Sequence, residues 1–136
     1  MTKILLKTVK EVNEWRLSNK KDISFVPSMG NLHVGHEELI REAKKLKDYL
    51  VILSIFINPL QFNDEKDLIN YPRTLDKDID LAFAAGADAI FIPCENEIFP
   101  KNDQKIKYQK ASEDLSKTLC GISRVGHFDG VCTVVN

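Results

Sequence analysis

Two of the three histidines in this 136-residue chain, His33 and His36, lie three positions apart, and Gly35 stands directly before the second. Side chains at that spacing project from the same side of a helix and can act on one ligand. The residue types alone leave three interpretations open: surface histidines, a shared metal ion, or phosphate chemistry. The metal interpretation is the weakest, because the motif is not H-E-x-x-H and no further ligands follow at suitable spacing.

The segment around the histidines favours phosphate chemistry. The apolar run at 23–26, ended by Pro27, predicts a strand, and a helical pattern opens at Gly35. The start of a helix offers unpaired N–H groups and a positive dipole end, which suit a phosphate. Gly30 permits a tight turn out of the strand, and Gly35 removes a side chain where a triphosphate must approach the backbone. Donors held there would stabilise the charge that grows on phosphoryl oxygens during displacement at phosphorus.

The elements that must position this segment alternate between helix and strand patterns. Thr8 and Glu11 have the spacing of a capping box, Thr74 is a predicted N-cap, and Gly86 is a predicted helix stop. The pattern predicts helices over 8–20, 35–49 and 74–86, strands over 23–26, 49–58 and 88–93, and a long polar loop over 58–73. Further on it predicts a short strand at 105–111, a short helix at 113–120 and a final strand at 130–135.

This alternation predicts an α/β fold with a doubly wound parallel sheet. Ligands of such sheets bind beyond the carboxyl ends of the strands. The candidate loops are therefore 27–36, 58–73 and 93–101, of which only the first two carry obvious chemistry.

Composition narrows the possible partners and the location. A formal net charge of −1 gives no electrostatic case for nucleic acid or an anionic membrane. Three widely spaced cysteines without a C-x-x-C pair argue against a disulfide framework and suit a reducing cytosol. No stretch approaches the roughly 20 apolar residues of a membrane span. We therefore expect a cytoplasmic protein that binds neither nucleic acid nor a membrane.

The histidine segment also resembles a known signature. The residues "HVGH" after a strand resemble the H-x-G-H motif of the nucleotidylyltransferase superfamily, which class I aminoacyl-tRNA synthetases share. The longer runs "FVPSMGNLHVGHEELIREAK", "VILSIFINPLQF", "DLINYPRTLDKDIDLAFAAGADAIFIP" and "SRVGHFDGVCTVV" resemble, in order, the pantothenate synthetase family. The resemblance extends from the first helix to Asn136, and it implies a Rossmann-like sheet of the H-x-G-H type.

The resemblance implies a two-step ligation that consumes ATP. The carboxylate of pantoate attacks the α-phosphate of ATP, releasing pyrophosphate and leaving a pantoyl adenylate. The amine of β-alanine then attacks the activated acyl carbon, giving pantothenate and AMP. The resemblance also implies Mg²⁺ accompanying ATP, and a homodimer.

The resemblance assigns roles to particular residues. His36, assisted by His33, is the expected catalytic residue. The expected ATP-binding residues are Met29, Gly30, Asn31, Leu32, His33, Val34, Gly35 and His36. The expected residues for pantoate and β-alanine are Met29, Asn58, Gln61, Tyr71, Val134 and Val135, with Arg73 in the same loop as Tyr71. No residue is predicted to bind a metal ion.

Family chains continue well beyond this point, and the final strand predicted at 130–135 stops without a capping element. We therefore expect residues 1–136 to be a truncated N-terminal nucleotide-binding domain with an incomplete sheet, without its C-terminal domain and inactive alone. Two rival functions stay open. One is another H-x-G-H enzyme that transfers AMP to a phosphorylated mononucleotide or to phosphopantetheine, against which "NPLQF" and "SRVGHFDGV" argue. The other is a non-catalytic nucleotide-binding module.

Overall fold

The computed structural model describes residues 2–101, 110–113 and 127–135. In chain order the described elements are β1 (Ile4–Leu6), α1 (Val9–Ser18), β2 (Asp22–Ser28), α2 (Val34–Lys44), β3 (Tyr49–Ile55), a 3₁₀ helix (Pro59–Gln61), α3 (Glu65–Asn70), α4 (Leu75–Ala85), β4 (Ala89–Phe91), α5 (Glu95–Ile98) and α6 (His127–Val135). They belong to two compact units, the first comprising Met1–Phe56 and Pro72–Glu97, the second Ile57–Tyr71 and Ile98–Asn136.

A parallel sheet forms the centre of the first unit. Its described strands have the order β1-β4-β3-β2, and every neighbouring pair is parallel. Helix α1 packs on one face, through Val12 and Trp15, while α2 and α4 cover the other. Strand β3 is buried along Val51–Ile55, as expected for a strand covered on both sides. The α/β fold with a doubly wound parallel sheet is confirmed.

Two helix boundaries predicted from the sequence are confirmed by their hydrogen bonds. Thr8 Oγ1 accepts from the Glu11 N–H, and the Glu11 carboxylate accepts from the Thr8 N–H, which completes the capping box of α1. Gly86 ends α4 in the left-handed conformation with φ 117°, a geometry that favours glycine. Local capping chemistry therefore determines these boundaries.

Other predicted boundaries differ from the structure. Strand β2 continues through Pro27 to Ser28, because β2 lies at an edge of the described sheet, where a proline leaves no ladder bond unmade. Helix α2 ends at Lys44 rather than Tyr49. Leu46, which suggested the extension, is 49% exposed and gives a further turn little to pack against.

The predicted polar loop at 58–73 contains two short helices in the second unit. Asn58 caps the 3₁₀ helix, with its side-chain oxygen accepting from the Leu60 N–H, and Asp64 caps α3 in the same way from the Lys66 N–H. Asn and Asp are strong N-caps. The prediction of an irregular loop was wrong here. Pro59 opens the 3₁₀ helix and Pro72 follows α3, so neither proline interrupts a helix.

The final strand predicted at 130–135 is wrong, since these residues lie in helix α6. The β-branched residues suggested a strand, but each disfavours a helix by at most about 0.7 kcal/mol relative to alanine. Tertiary contacts outweigh that: a Cβ on Gly130 would stand 2.2 Å from the Leu60 carbonyl oxygen, and the Asn58 amide donates to the Gly130 carbonyl at 2.9 Å. The expectation of a sheet left incomplete by an unfinished final strand therefore loses that support.

The strand predicted at 105–111 and the helix predicted at 113–120 lie largely outside the described residues. No helix in the described part of the chain is both long enough and apolar enough to cross a bilayer.

Candidate active site

The turn after β2 is built by hydrogen bonds and two left-handed residues. The Ser28 hydroxyl donates to the Ser54 carbonyl at 2.7 Å, which ties the end of β2 to β3. Gly30 and Asn31 follow with φ of 78° and 51°. A Cβ at Gly30 would meet a carboxylate oxygen of Asp78 at 3.0 Å and a methyl of Ile55 at 3.1 Å. Conformation and space therefore both require glycine there.

The carboxylate of Asp78 holds this turn. One oxygen, Oδ2, accepts from the Asn31 N–H at 2.8 Å, and the other, Oδ1, accepts from the Leu32 N–H at 2.8 Å. The Thr74 hydroxyl also donates to Oδ1, at 3.1 Å. Asp78 is only 2% exposed, so these donors replace the water that a carboxylate would otherwise bind.

His33 and His36 cap their own helix. The Nδ1 atom of His33 accepts from the Gly35 N–H at 3.0 Å, and Nδ1 of His36 accepts from the His33 N–H at 3.2 Å. The ring centroids are 4.1 Å apart. Because each Nδ1 is an acceptor, each neutral ring carries its proton on Nε2. The pair therefore offers two parallel functions, capping through Nδ1 and donation to a ligand through Nε2.

The environment of His36 favours its neutral form. Burial lowers the pKa of His36 below its usual value, the neighbouring His33 lowers it further, and the charge of Asp78 opposes both. At pH 7 the ring is therefore neutral, and its Nε2–H is a dipolar donor rather than a cation.

Gly35 makes room for the imidazole of His33. A Cβ there would stand 2.8 Å from Cε1 and 3.0 Å from Nδ1 of that ring. The sequence suggested that this glycine gives space to a triphosphate. The structure shows a nearer reason, which is the capping position of His33.

The remaining residues of 29–36 differ in what they can offer a ligand. Leu32 is 7% exposed and belongs to the core of the first unit, so its side chain anchors the turn. Val34 is 73% exposed, and Met29 is partly buried at the end of β2. All eight predicted ATP-binding residues therefore lie in one continuous turn and the first turn of α2.

Asn58 and Gln61 meet in the second unit. Asn58 is 1% exposed, and its amide nitrogen donates to Gln61 Oε1 and to the Gly130 carbonyl, both at 2.9 Å. Both N–H groups of the Asn58 amide are therefore used within the protein. Asn58 therefore orients Gln61, and its predicted contact with a substrate stays a prediction.

The other predicted substrate residues have less defined surroundings. Tyr71 packs edge-on against Phe62, with ring centroids 5.7 Å apart. Val134 is half-buried and Val135 is 53% exposed, both on α6, which also carries Gly130. Arg73 is exposed and belongs to the first unit. The structure thus gathers residues 29–36 in the first unit, and Asn58, Gln61 and α6 in the second.

Asp78 and the hydroxyl contact of Thr74 were not predicted from the sequence, in which Thr74 is only a predicted N-cap. Thr74 does stand at the N-cap position of α4, but its side chain makes no capping bond. A signal for Asp78 was present, because Asp78, Ala82 and Ala85 share the buried face of α4. A carboxylate on an apolar face of a helix indicates an internal hydrogen-bonding role.

A metal site is not evident in this part of the molecule. Among the described residues, no group of three or more His, Cys, Asp or Glu side chains is close enough to hold a metal ion.

A parallel sheet that leads from β2 through a glycine turn into a histidine-capped helix defines an α/β protein of the nucleotidylyltransferase type. The family model "Pantoate-beta-alanine ligase" matches residues 4–136. The chain belongs to the pantoate–β-alanine ligase family.

Individual relatives agree with this membership. A bifunctional pantoate ligase/cytidylate kinase of Prochlorococcus marinus subsp. pastoris is 55% identical over 135 residues, which are 99% of this chain and 26% of that protein. A pantothenate synthetase of Bdellovibrio bacteriovorus is 47% identical, over 99% of this chain and 52% of that protein. The chain therefore spans about a quarter to half of the length of these relatives.

Solved structures show the same fold. The crystal structure of a pantoate–β-alanine ligase from Francisella tularensis, complexed with β-γ ATP and β-alanine, superposes with a TM-score of 0.87 at 38% identity. The match covers 98% of this chain and 51% of that one. A pantothenate synthetase from Thermus thermophilus gives a TM-score of 0.82 at 36% identity, over 97% of this chain and 46% of its own.

Proposed function

We propose that this chain is the N-terminal nucleotide-binding part of a pantothenate synthetase. The complete ligase would join pantoate to β-alanine with ATP, releasing AMP and pyrophosphate. The observation that carries the proposal is the histidine pair, in which the backbone holds both Nδ1 atoms and directs both protons to Nε2. Family membership and the ATP and β-alanine in the Francisella ligase support it.

The histidines serve the first step, in which a carboxylate oxygen of pantoate bonds to the α-phosphorus and pyrophosphate leaves with the electrons of the broken P–O bond. Negative charge grows on the phosphoryl oxygens during this displacement. The Nε2–H groups of His33 and His36, already held by the helix start, stabilise that charge without moving. The turn at 29–32 supplies the backbone along which the nucleotide lies, as at other helix starts that bind phosphate.

The second unit serves the acyl end of the reaction. Gln61 holds pantoate in both steps, because a carboxamide donates and accepts hydrogen bonds and does not titrate. Asn58 keeps that carboxamide in one orientation through the 2.9 Å bond to Oε1. We assign Tyr71, Val134 and Val135 to the apolar part of pantoate, and we assign Met29, in the turn at 29–32, to the same substrate. The amine of β-alanine then bonds to the acyl carbon, and AMP leaves from the adenylate.

The same proposal covers the rest of the enzyme. A C-terminal domain completes the nucleotide site and excludes water from the adenylate, which would otherwise hydrolyse. Mg²⁺ would accompany ATP and would neutralise part of the triphosphate charge, and no described residue of this chain is assigned to it. The complete ligase works as a homodimer in the cytoplasm, where the described thiols, Cys94 and Cys132, stay reduced.

Pyrophosphate exchange tests the proposal. The complete ligase, meaning this chain with the C-terminal part that its relatives carry, should incorporate labelled pyrophosphate into ATP when pantoate is present and β-alanine is absent. Omission of pantoate is the matched control. Exchange that requires β-alanine, or that proceeds equally well with a phosphorylated mononucleotide or phosphopantetheine in place of pantoate, would assign the chain to a different reaction.

A further inference from the structure

We propose that Asp78 is a positioning residue for adenylation, since its buried carboxylate fixes the turn from which His33 and His36 are aimed. The inference rests on the proposed function for its chemical consequence. Its structural claim, that Asp78 determines the conformation of residues 29–36, stands independently.

The carboxylate binds two consecutive backbone amides with two different oxygens. The bonds from the Asn31 and Leu32 N–H groups are both 2.8 Å long. Successive amides point the same way only in special backbone conformations, and here Gly30 and Asn31 both have positive φ. Asparagine visits that region more readily than most residues with a side chain, but still at a cost. The two acceptor oxygens of Asp78 stabilise the turn in this conformation.

The turn connects Asp78 to the histidines, so the position of the carboxylate constrains where both rings lie. Leu32, the second residue held, is buried in the core, and the next residue is His33, the N-cap of α2. The direction of the His33 ring therefore follows from the peptide that Asp78 holds. His36 follows in turn, because its Nδ1 accepts from the His33 N–H.

A role in stability alone would not explain the choice of a carboxylate. Asp78 stands on the face of α4 that also buries Ala82 and Ala85, where an apolar side chain would pack without desolvating a charge. Its remaining bond, from Thr74, links it only to its own helix start. The position of Asp78 also places its negative charge close enough to influence His36.

The test compares Asp78→Asn with Asp88→Asn in the complete ligase. Asparagine has one acceptor oxygen, so one of the two turn amides loses its partner and faces an NH₂ group. Asp88 is the matched control, since its carboxylate accepts from the Val51 N–H and from Lys44 at the amino end of β4, at the other end of the sheet.

Asp78→Asn should lower kcat for pantoate-dependent pyrophosphate exchange by about 10–10²-fold, the loss expected for a displacement of about 1 Å. KM for pantoate should change less than about twofold, because the proposed pantoate residues lie mainly in the second unit. Asp88→Asn should keep kcat near that of the wild type, even where it lowers the melting temperature. Equal kcat in Asp78→Asn and Asp88→Asn would overturn the inference.

Hydrogen–deuterium exchange supplies a measurement that does not depend on catalysis. Peptides covering 29–36 should exchange faster in Asp78→Asn than in Asp88→Asn, compared at temperatures equally far below each melting point. Equal exchange in this segment would overturn the structural claim. If the wild type shows no pantoate-dependent activity, the proposed function fails, while this comparison still decides whether Asp78 holds the turn.

Discussion

Gly35→Ala tests whether the capping position of His33 matters for catalysis. An added Cβ would lie 2.8 Å from Cε1 and 3.0 Å from Nδ1 of the His33 ring. Unbonded carbon atoms prefer about 3.5–4.0 Å, so the ring must retreat by roughly 1 Å. That retreat breaks the 3.0 Å bond from the Gly35 N–H to Nδ1 and turns Nε2 away from its position.

The effect on the rate should far exceed the effect on stability. A displacement of about 1 Å in a positioning group costs up to roughly 10²-fold, so we expect pyrophosphate exchange to fall by about 10–10²-fold. Alanine is more favourable than glycine inside a helix by about 1 kcal/mol, and loss of a capping bond costs about as much. The free energy of unfolding should therefore change by less than about 1 kcal/mol.

The assay is pantoate-dependent pyrophosphate exchange in the complete ligase, combined with urea unfolding of each variant. Gly86→Ala is the matched control, because its φ of 117° disfavours alanine while the site lies at the C-terminal end of a different helix. This control should lose about 1–2 kcal/mol of stability and keep its exchange rate. Wild-type exchange in Gly35→Ala would show that the His33 cap is not needed for the reaction.

Four further results are expected. His36→Ala should slow adenylation by about 10²–10³-fold with little change in melting temperature, and severe unfolding with normal turnover would contradict its assignment. The pKa of His36 is lower in the folded chain than its usual value of 6.5, so the unfolded chain binds more protons as pH falls from about 6.5. The free energy of unfolding should therefore decrease as pH falls through and below about 6.5. Urea unfolding should show a smaller decrease in His36→Gln. Gln61→Ala should weaken pantoate binding far more than ATP binding in calorimetric titrations, and equal losses would argue against the proposed division of roles. Residues 1–136 alone should form no pantothenate, and product formation comparable with that of the complete ligase would place the whole site within them.

Features that depend on neighbouring residues could be predicted from the sequence. The capping box at Thr8, the left-handed stop at Gly86 and the buried run of β3 are all determined by chemistry within a few positions. The histidine motif belongs to the same class, because its strand, turn and helix are contiguous. Such local signals also predicted the parallel α/β fold, because strands that alternate with helices are compatible with only a few chain topologies.

Features that depend on distant contacts could not be predicted in the same way. The β-branched residues after Gly130 indicate a strand, yet they lie in a helix whose Gly130 packs closely on the backbone of Leu60, 70 positions earlier. In the sequence, Asp78 cannot be distinguished from the other acidic residues of α4. Its role follows from hydrogen bonds to residues 46 and 47 positions away. The role of Asn58 likewise depends on the Gly130 carbonyl. In each case the deciding partner is absent from the local sequence.

The use of His33 as an N-cap has an evolutionary consequence. Asparagine is among the best N-caps, and its side-chain oxygen can replace Nδ1 as the acceptor at this position. Histidine and asparagine codons differ in a single base, so one mutation can remove the Nε2–H donor while the helix start is preserved. A duplicated gene could therefore lose the reaction and keep a folded nucleotide-binding domain, with no intermediate that is poorly folded. Under the proposed function, histidine at this position serves the reaction, since asparagine would satisfy the helix start alone.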